Sequence, residues 1–228
     1  MLNQKIRATI AQFKQALPAE LSALIEQGAG EISALDFIER ARKVGDAAPD
    51  FALSNQRGEQ KRLTDYLARG PLVLTFYRGV WCPYCNLQLK EYRDHLNEIE
   101  SAGATLVAIT PEKPNALEIL VASGAHQDVV DMAVTDVPFD VLHDAGSRVA
   151  EAFGLVFELP ESHRRLLSML NVEVTALNGD TSFTFPDPAT YVIKPSGEIA
   201  WAFVPNNYRR RAEVAQIIEA LSLASVAA

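Results

Sequence analysis

The chain has 228 residues, with 48% hydrophobic and 22% charged side chains and only 12 Gly and 12 Pro. This is an ordinary globular composition that excludes a collagenous or low-complexity chain. Acids outnumber bases 29 to 21, a net charge of −8, which argues against nucleic acid as a partner because phosphate binding needs a basic footprint. No apolar run reaches the ~18–20 residues of a membrane span. The start, Met1 to Ile10, is charged and amphipathic rather than signal-like, so a soluble, cytoplasmic protein that engages no membrane is expected.

Residues 1–43 read as a helical extension that packs on the rest, serves in dimer formation or binds a partner. Ile6, Ile10, Phe13 and Leu17 recur at helical spacing. Pro18 interrupts the helix, and Leu21, Leu24 and Ile25 form a short second pattern. Gln27-Gly28-Ala29-Gly30 reads as a break, with Ser33 capping a third helix through Leu35 and Ile38.

The texture changes at Val44. Phe51-Ala52-Leu53 is a short strand candidate, Gln56-Arg57-Gly58-Glu59 a hairpin-like turn, and Leu63 to Leu67 one helical turn. Strands are predicted over 71–77, 104–110, 140–142, 190–193 and 198–204, and helices over 83–101, 115–123, 147–153 and 211–223. Lys194-Pro195-Ser196-Gly197 joins the last two strands as a hairpin. This alternation predicts an α/β sheet covered on both faces. Residues 157–185 interrupt it as an insertion, with a small helix at Leu166, Leu167 and Leu170 and a turn at Asn178-Gly179-Asp180. Two units follow: the extension 1–43 and a redox unit 44–228.

Cys82 and Cys85 are the only cysteines, in Trp81-Cys82-Pro83-Tyr84-Cys85 between a predicted strand and a predicted helix. A C-x-x-C there reads as redox-active. Cys82 falls at the helix N-cap and Pro83 at the first helical position, where its missing N–H costs nothing. The Tyr84 and Cys85 amides are then expected to donate to the Cys82 sulfur, and the helix dipole adds positive potential, both favouring its thiolate. Cys85, one turn on, is placed for a reversible local disulfide. A structural zinc site needs about four ligands, and His95, His126, His143 and His163 show no paired spacing. No metal is therefore expected, and no glycine-rich phosphate loop implies a nucleotide cofactor. His143 and His163 read as surface or satisfied side chains.

Val44-Gly45-Asp46-Ala47-Ala48-Pro49-Asp50-Phe51 resembles the opening of the peroxiredoxins, the alkyl hydroperoxide reductase and thiol-specific antioxidant family. Phe76 to Cys85 sits where that family has Tyr-Pro-x-x-x-Thr-x-x-Cys, and Pro188 to Ile193 resembles the cis-proline strand of thioredoxin-like proteins. The resemblance covers about 44–223. It implies a thioredoxin-like, peroxiredoxin-type central sheet flanked by helices, and an antioxidant thiol peroxidase acting on hydrogen peroxide or organic hydroperoxides. It places Cys85 on the peroxidatic cysteine, Cys82 on the motif's threonine and Arg78 on its proline. The family's second arginine would fall at Pro188; Arg78, or Arg209 to Arg211 if that segment folds back, would have to replace it. Trp81 is expected to shield the site, Tyr84 to be exposed beside the sulfurs, and Pro188 to be cis against them. Arg209-Arg210-Arg211 otherwise reads as a solvated loop or an anion or partner site. The resemblance also implies a homodimer and an external dithiol reductant, a thioredoxin or glutathione system. Because Cys82 also falls on the first cysteine of thioredoxins, and Cys-Pro-Tyr-Cys is the glutaredoxin tetrapeptide, a protein thiol–disulfide oxidoreductase led by Cys82 is the alternative. A redox-switched interaction module is a third.

Overall fold

Runs of apolar, β-branched residues bounded by turns become the buried strands of one sheet. The computed structural model describes residues 1–226. Its strands are β1 (Ala52–Asn55), β2 (Gln60–Arg62), β3 (Leu72–Phe76), β4 (Thr105–Thr110), β5 (Asp140–His143), β6 (Val156–Glu158), β7 (Thr184–Pro186), β8 (Thr190–Ile193) and β9 (Ile199–Phe203). Seven of them form a sheet in the order β2-β1-β5-β4-β3-β8-β9, while β6 and β7 pair separately. The inner strands β3, β4 and β5 are parallel, and β8 and β9 add antiparallel beside β3.

Parallel neighbours require crossovers. α5 (Pro83–Asp94) and α6 (Leu96–Ser101) connect β3 to β4; α7 (Ala116–Ala122) and α8 (Gln127–Asp131) connect β4 to β5. The remaining helices are α1 (Leu2–Ala16), α2 (Ala19–Ser33), α3 (Phe37–Arg40), α4 (Leu63–Leu67), α9 (Arg148–Ala152), α10 (Glu161–Met169), α11 (Val174–Asn178) and α12 (Val214–Val226). No helix among the described residues is long and apolar enough to cross a membrane.

Strand alternation splits the core in two. Leu72, Leu74, Phe76, Val107 and Ile109 pack with Tyr66, Phe153 and Tyr191 on one face. Val73, Leu106, Ala108 and Val192 pack with Leu89, Tyr92, Ile99 and Ile217 on the other, where the cysteines also lie. Because β3 is buried at every position, the loop leaving its C-terminal end starts from a rigid base.

The expected helix over 83–101 divides at His95, whose φ −114 and ψ 15 leave the helical region. Its carbonyl accepts the Glu98 N–H at 3.1 Å and so opens α6. The expected break at Gln27-Gly28-Ala29-Gly30 does not occur: α2 runs through it, and Ser33 ends that helix rather than capping another. The reason is close packing. A Cβ on Gly28 would lie 1.6 Å from Nδ1 of His163 and 2.8 Å from Oγ of Ser162 in α10. A Cβ on Gly30 would meet nothing within 4 Å.

The two glycines therefore predict opposite outcomes. Gly28→Ala is expected to destabilise the protein by about 1–3 kcal/mol through overpacking. Gly30→Ala is expected to stabilise it by about 0.5–1 kcal/mol through helix propensity. Urea unfolding midpoints of the two variants check this directly.

Candidate active site

β3 delivers the chain into the loop 77–82, which folds back to start α5 with Cys82 at the N-cap and Pro83 in the first turn. Gly79 adopts φ +153, and a Cβ there would sit 2.2 Å from Oε1 of Glu112. Glycine thus lets the loop close over a buried carboxyl, which accepts the Val80 N–H at 2.8 Å. Asn86 holds the other side, donating to the Val80 carbonyl at 2.6 Å and accepting from the Val134 N–H at 3.1 Å.

Both cysteines are free and fully buried, with their sulfurs 2.9 Å apart. Each sulfur has its own guanidinium. Arg78, 2% exposed, donates from Nη2 to Cys82 Sγ at 3.1 Å. Arg211, 0% exposed, donates from Nη2 to Cys85 Sγ at 3.2 Å. The Arg78 guanidinium lies 4.0 Å from the Tyr208 ring centroid and 5.0 Å from that of Trp81.

Arg211 is held on all sides. Its Nε donates to Gln88 Oε1 at 2.6 Å, and its Nη1 to the carbonyls of Tyr208 and Arg210. Gln88 in turn donates to Thr75 Oγ1 at 2.8 Å. The Arg211 backbone exchanges hydrogen bonds with the Asn3 side chain at 2.8 and 3.0 Å, and Glu213 accepts the Leu2 and Asn3 amides. The first turn of α1 therefore anchors the segment that carries this cation to the sulfur.

The electrostatics separate the two thiols. Burial opposes a Cys85 thiolate, but the hydrogen bond from Cys82, the charges of Arg211 and Arg78 and the Arg78 backbone N–H together outweigh it, and Cys85 is held well below the ordinary thiol range. Cys82 is pushed well above that range, by burial first and by its hydrogen bond to Cys85 second. Across the 2.9 Å contact between the sulfurs, Cys85 is thus biased toward the thiolate and Cys82 toward the thiol.

Several expectations are corrected. The amide cap on the Cys82 sulfur is absent: the Cys85 and Asn86 amides donate instead to the Cys82 carbonyl, at 3.0 and 3.1 Å, as an ordinary first helical turn requires. Tyr84 is buried rather than exposed, because Tyr208 covers it with ring centroids 6.0 Å apart. Pro188 is buried but trans: the Asp187 N–H donates to the Leu155 carbonyl and the Ala189 carbonyl accepts the Phe76 N–H, so the chain passes extended from β7 to β8. The arginine run is no solvated loop. Arg211 enters the core, and Arg209 pairs with Glu26 of α2 at 3.2 Å. Trp81 is buried, with its ring edge-on to Phe185. His163 is buried against Tyr208, and burial lowers its pKa to about 3.

Glu112, which no motif marks, is the group sequence reasoning missed. It follows β4 directly, and burial, with the nearby Cys85 charge adding, raises its carboxyl to about 8. A carboxyl held above its ordinary value of 4.5 binds a proton in the folded state that the unfolded chain has lost. Its stabilisation is complete at acid pH and disappears as pH rises through about 8. The stability difference between wild type and Glu112→Gln is therefore expected to shift against wild type from about pH 5 to about pH 8, by no more than about 5 kcal/mol. Urea unfolding of both reduced proteins across that range measures it.

Comparison with known proteins places the chain in a family. Residues 44–202 match the model of the AhpC/TSA family. The chain belongs to the AhpC/TSA family. It is 34% identical over 113 residues to peroxiredoxin Bcp of Escherichia coli strain K12, a match spanning 50% of this chain and 65% of that protein. It is 38% identical over 73 residues to a putative peroxiredoxin of Mycobacterium tuberculosis, spanning 32% of this chain and 46% of the relative. Among solved structures, peroxidoxin BcpB from Mycobacterium tuberculosis superposes with a TM-score of 0.55 at 22% identity, covering 81% of this chain and 97% of that one. Yeast mitochondrial 1-Cys peroxiredoxin superposes with a TM-score of 0.57 at 17% identity, covering 81% and 77%. These likenesses establish the peroxiredoxin-type, thioredoxin-like fold. The AhpC/TSA match contains both cysteines, Arg78 and Glu112, whereas Arg211, α1 and α2 lie outside it.

Proposed function

We propose that this protein is a thiol-dependent peroxidase in which Cys85 attacks and Cys82 resolves. The observation that carries the reading is the placement of the Cys85 sulfur, 2.9 Å from the Cys82 sulfur and 3.2 Å from the buried Arg211 guanidinium that donates to it, a setting that favours its thiolate. The Cys85 thiolate attacks the terminal oxygen of a hydroperoxide. An S–O bond forms, the O–O bond breaks, and the leaving alkoxide or hydroxide takes up a proton. Cys85 becomes a sulfenic acid and the peroxide an alcohol or water. The Cys82 sulfur then attacks the sulfenic sulfur, water leaves, and a Cys82–Cys85 disulfide remains. An external dithiol returns both to thiols by exchange.

The supporting side chains have distinct parts. Arg78 offers hydrogen-bond donors where the peroxide oxygens develop charge. Trp81 and Tyr84 exclude water from the pair, and Pro83 sets the first turn of α5. Pro188 fixes the strand entry beside β3. A thioredoxin or glutathione system as reductant, a homodimer and a cytoplasmic setting complete the reading; the family membership and the resemblance support them. A disulfide oxidoreductase led by Cys82 has less support, since Cys82 lacks the amide cap and burial pushes its thiol up.

The test is stopped-flow fluorescence of the reduced protein mixed with hydrogen peroxide. Trp81 packs on the Arg78 that touches Cys82 and is expected to report oxidation at a rate far above that of a free thiol. A rate no faster than a free thiol would count against the proposal.

A further inference from the structure

Glu112 is 2% exposed, just after β4, and the peroxidase reaction as written leaves it idle. Its Oε2 accepts the Val80 N–H, but its Oε1 is buried with no hydrogen-bond partner among the described residues. The indole Nε1 of Trp81, the neighbour of Cys82, is in the same condition. Both atoms crowd the bare Cα of Gly79: a Cβ there would lie 2.2 Å from Oε1 and 2.6 Å from Nε1. A free donor thus sits near a free acceptor. A carboxylate formed here would have the Val80 N–H and, after a small shift, the indole N–H to stabilise it.

A cavity of about 70 Å³ connects this residue with the surface, with room for a few waters. Tyr77, Thr110, Glu112 and His143 line it, and the exposed Pro114 and Thr135 stand at its rim. His143 is partly exposed, and its Nδ1 lies 2.6 Å from the Glu112 carbonyl. A carbonyl only accepts, so Nδ1 carries the hydrogen there and Nε2 is left to exchange protons with water. Lys113 and the Tyr77 phenol are the other ionisable groups beside the cavity; burial pushes the phenol's pKa well up, so it stays neutral. Burial raises the Glu112 carboxyl to about 8, and the charge of Cys85 adds to the effect. The influence is mutual: when Cys85 loses its charge, Glu112 gives up its proton more readily.

We propose that Glu112 is the proton store of the redox cycle, holding a proton while Cys85 carries the negative charge and releasing it when that charge is consumed. The oxidising step rests on the peroxidase reading above. There the Cys85 thiolate takes the terminal oxygen with its hydrogen, and the O–O bond breaks. The leaving alkoxide or hydroxide takes up one proton, and Glu112 releases one through the cavity. When the disulfide forms, the Cys82 thiol proton departs with the sulfenic hydroxyl as water. The external dithiol then returns two electrons and two protons: one proton goes to Cys82, the other to Glu112, and Cys85 is again the thiolate. Cys85 and Glu112 together carry one negative charge throughout, on sulfur or on oxygen, and the interior never has to hold both.

The experiment uses no peroxide. Wild type and Glu112→Gln are equilibrated with reduced and oxidised dithiothreitol from about pH 6 to about pH 9, and the dithiol and disulfide forms of each protein are quantified. With the store in place, reduction by a neutral dithiol releases no net proton; without it, one proton is released. The equilibrium constant for reduction of the variant is therefore expected to rise with pH relative to wild type. The rise should reach about tenfold per pH unit between the titrations of Glu112 in the disulfide and dithiol forms. Glutamine keeps an acceptor for the Val80 N–H, and a merely loosened loop would change the constant by the same factor at every pH. Infrared difference spectra give a second reading: oxidation of wild type should remove the C=O stretch of a protonated carboxyl, and Glu112→Gln should lack this change. If the variant fails to fold, the wild-type spectrum still decides. Parallel pH dependences in the two proteins, or a carboxyl band unchanged by oxidation, overturn this inference. So does a band change that survives in Glu112→Gln and vanishes in Asp187→Asn, which would give the role to another buried carboxyl. These results leave the peroxidase reading standing. Failure of the reduced protein to consume hydroperoxide overturns that reading alone, because the dithiothreitol equilibrium is measured without it.

Discussion

Cys85→Ser is expected to lower peroxide reduction by ~10⁴-fold or more, because a serine hydroxyl at neutral pH replaces the only thiolate of the pair. Cys82→Ser is expected to behave differently. It keeps a buried hydroxyl that can donate to Cys85, so the first turnover should survive within about tenfold, slowed by the weaker support for the thiolate. Continued turnover should then depend on added small thiols, since the resolving sulfur is gone. Rapid-mixing peroxide consumption, followed by steady-state assays with and without such thiols, separates the two roles. Activity that survives Cys85→Ser would exclude Cys85 as the attacking sulfur.

The second large effect belongs to Arg211, which the structure buries completely against Cys85. Arg211→Met removes a cation in contact with the thiolate. An opposite charge at that range lowers a pKa by about 1–3 units, so its loss should move the midpoint of the pH–rate profile upward by that amount. At pH values below the wild-type midpoint the rate should fall by roughly 10- to 10³-fold, and by less between the two midpoints. The carbonyls of Tyr208 and Arg210 also lose a donor, costing about 1–3 kcal/mol of stability. A loss of stability alone would not shift the pH midpoint. Thiolate ultraviolet absorbance, titrated against pH in variant and wild type, therefore distinguishes an electrostatic role from a structural one. Arg211→Lys should recover part of the shift without the bonds that position Arg211.

Much of this was readable in the chain. β3, β4 and β8 are short apolar runs buried on both faces, and such runs announce themselves without tertiary knowledge. The Cys-Pro-Tyr-Cys turn was legible because proline and the strand before it fix a helix start. What failed depended on long-range packing. Gly28 looked like a break because glycine's usual local meaning is a turn; here it admits His163, which is 135 residues further on. For Arg209 to Arg211 a solvated loop and a fold back onto the site were both open, because a run of arginines carries no local packing signal; Arg211 takes the second course. It is buried because Asn3 and Glu213, from opposite ends of the chain, tie its segment to the site. Tyr84 looked exposed on a helix surface, but Tyr208, from a segment far along the chain, packs its ring against it. Glu112 stands in no motif, and its role depends on Gly79 folding over it. The short strands β6 and β7 carry too few residues to show a period, yet β6 leads into α10, which packs on α2.

The central claim is that oxygen is transferred to Cys85, and one measurement tests it most directly. Reduced Cys82→Ser and Cys85→Ser proteins are each exposed to one equivalent of hydrogen peroxide with a sulfenic-acid trap, and the adduct is located by peptide mass mapping. The expected result is an adduct on Cys85 in the first variant and none on Cys82 in the second. An adduct on Cys82 in the second variant, with Cys85 unmodified in the first, would contradict the account and transfer the attacking role to Cys82.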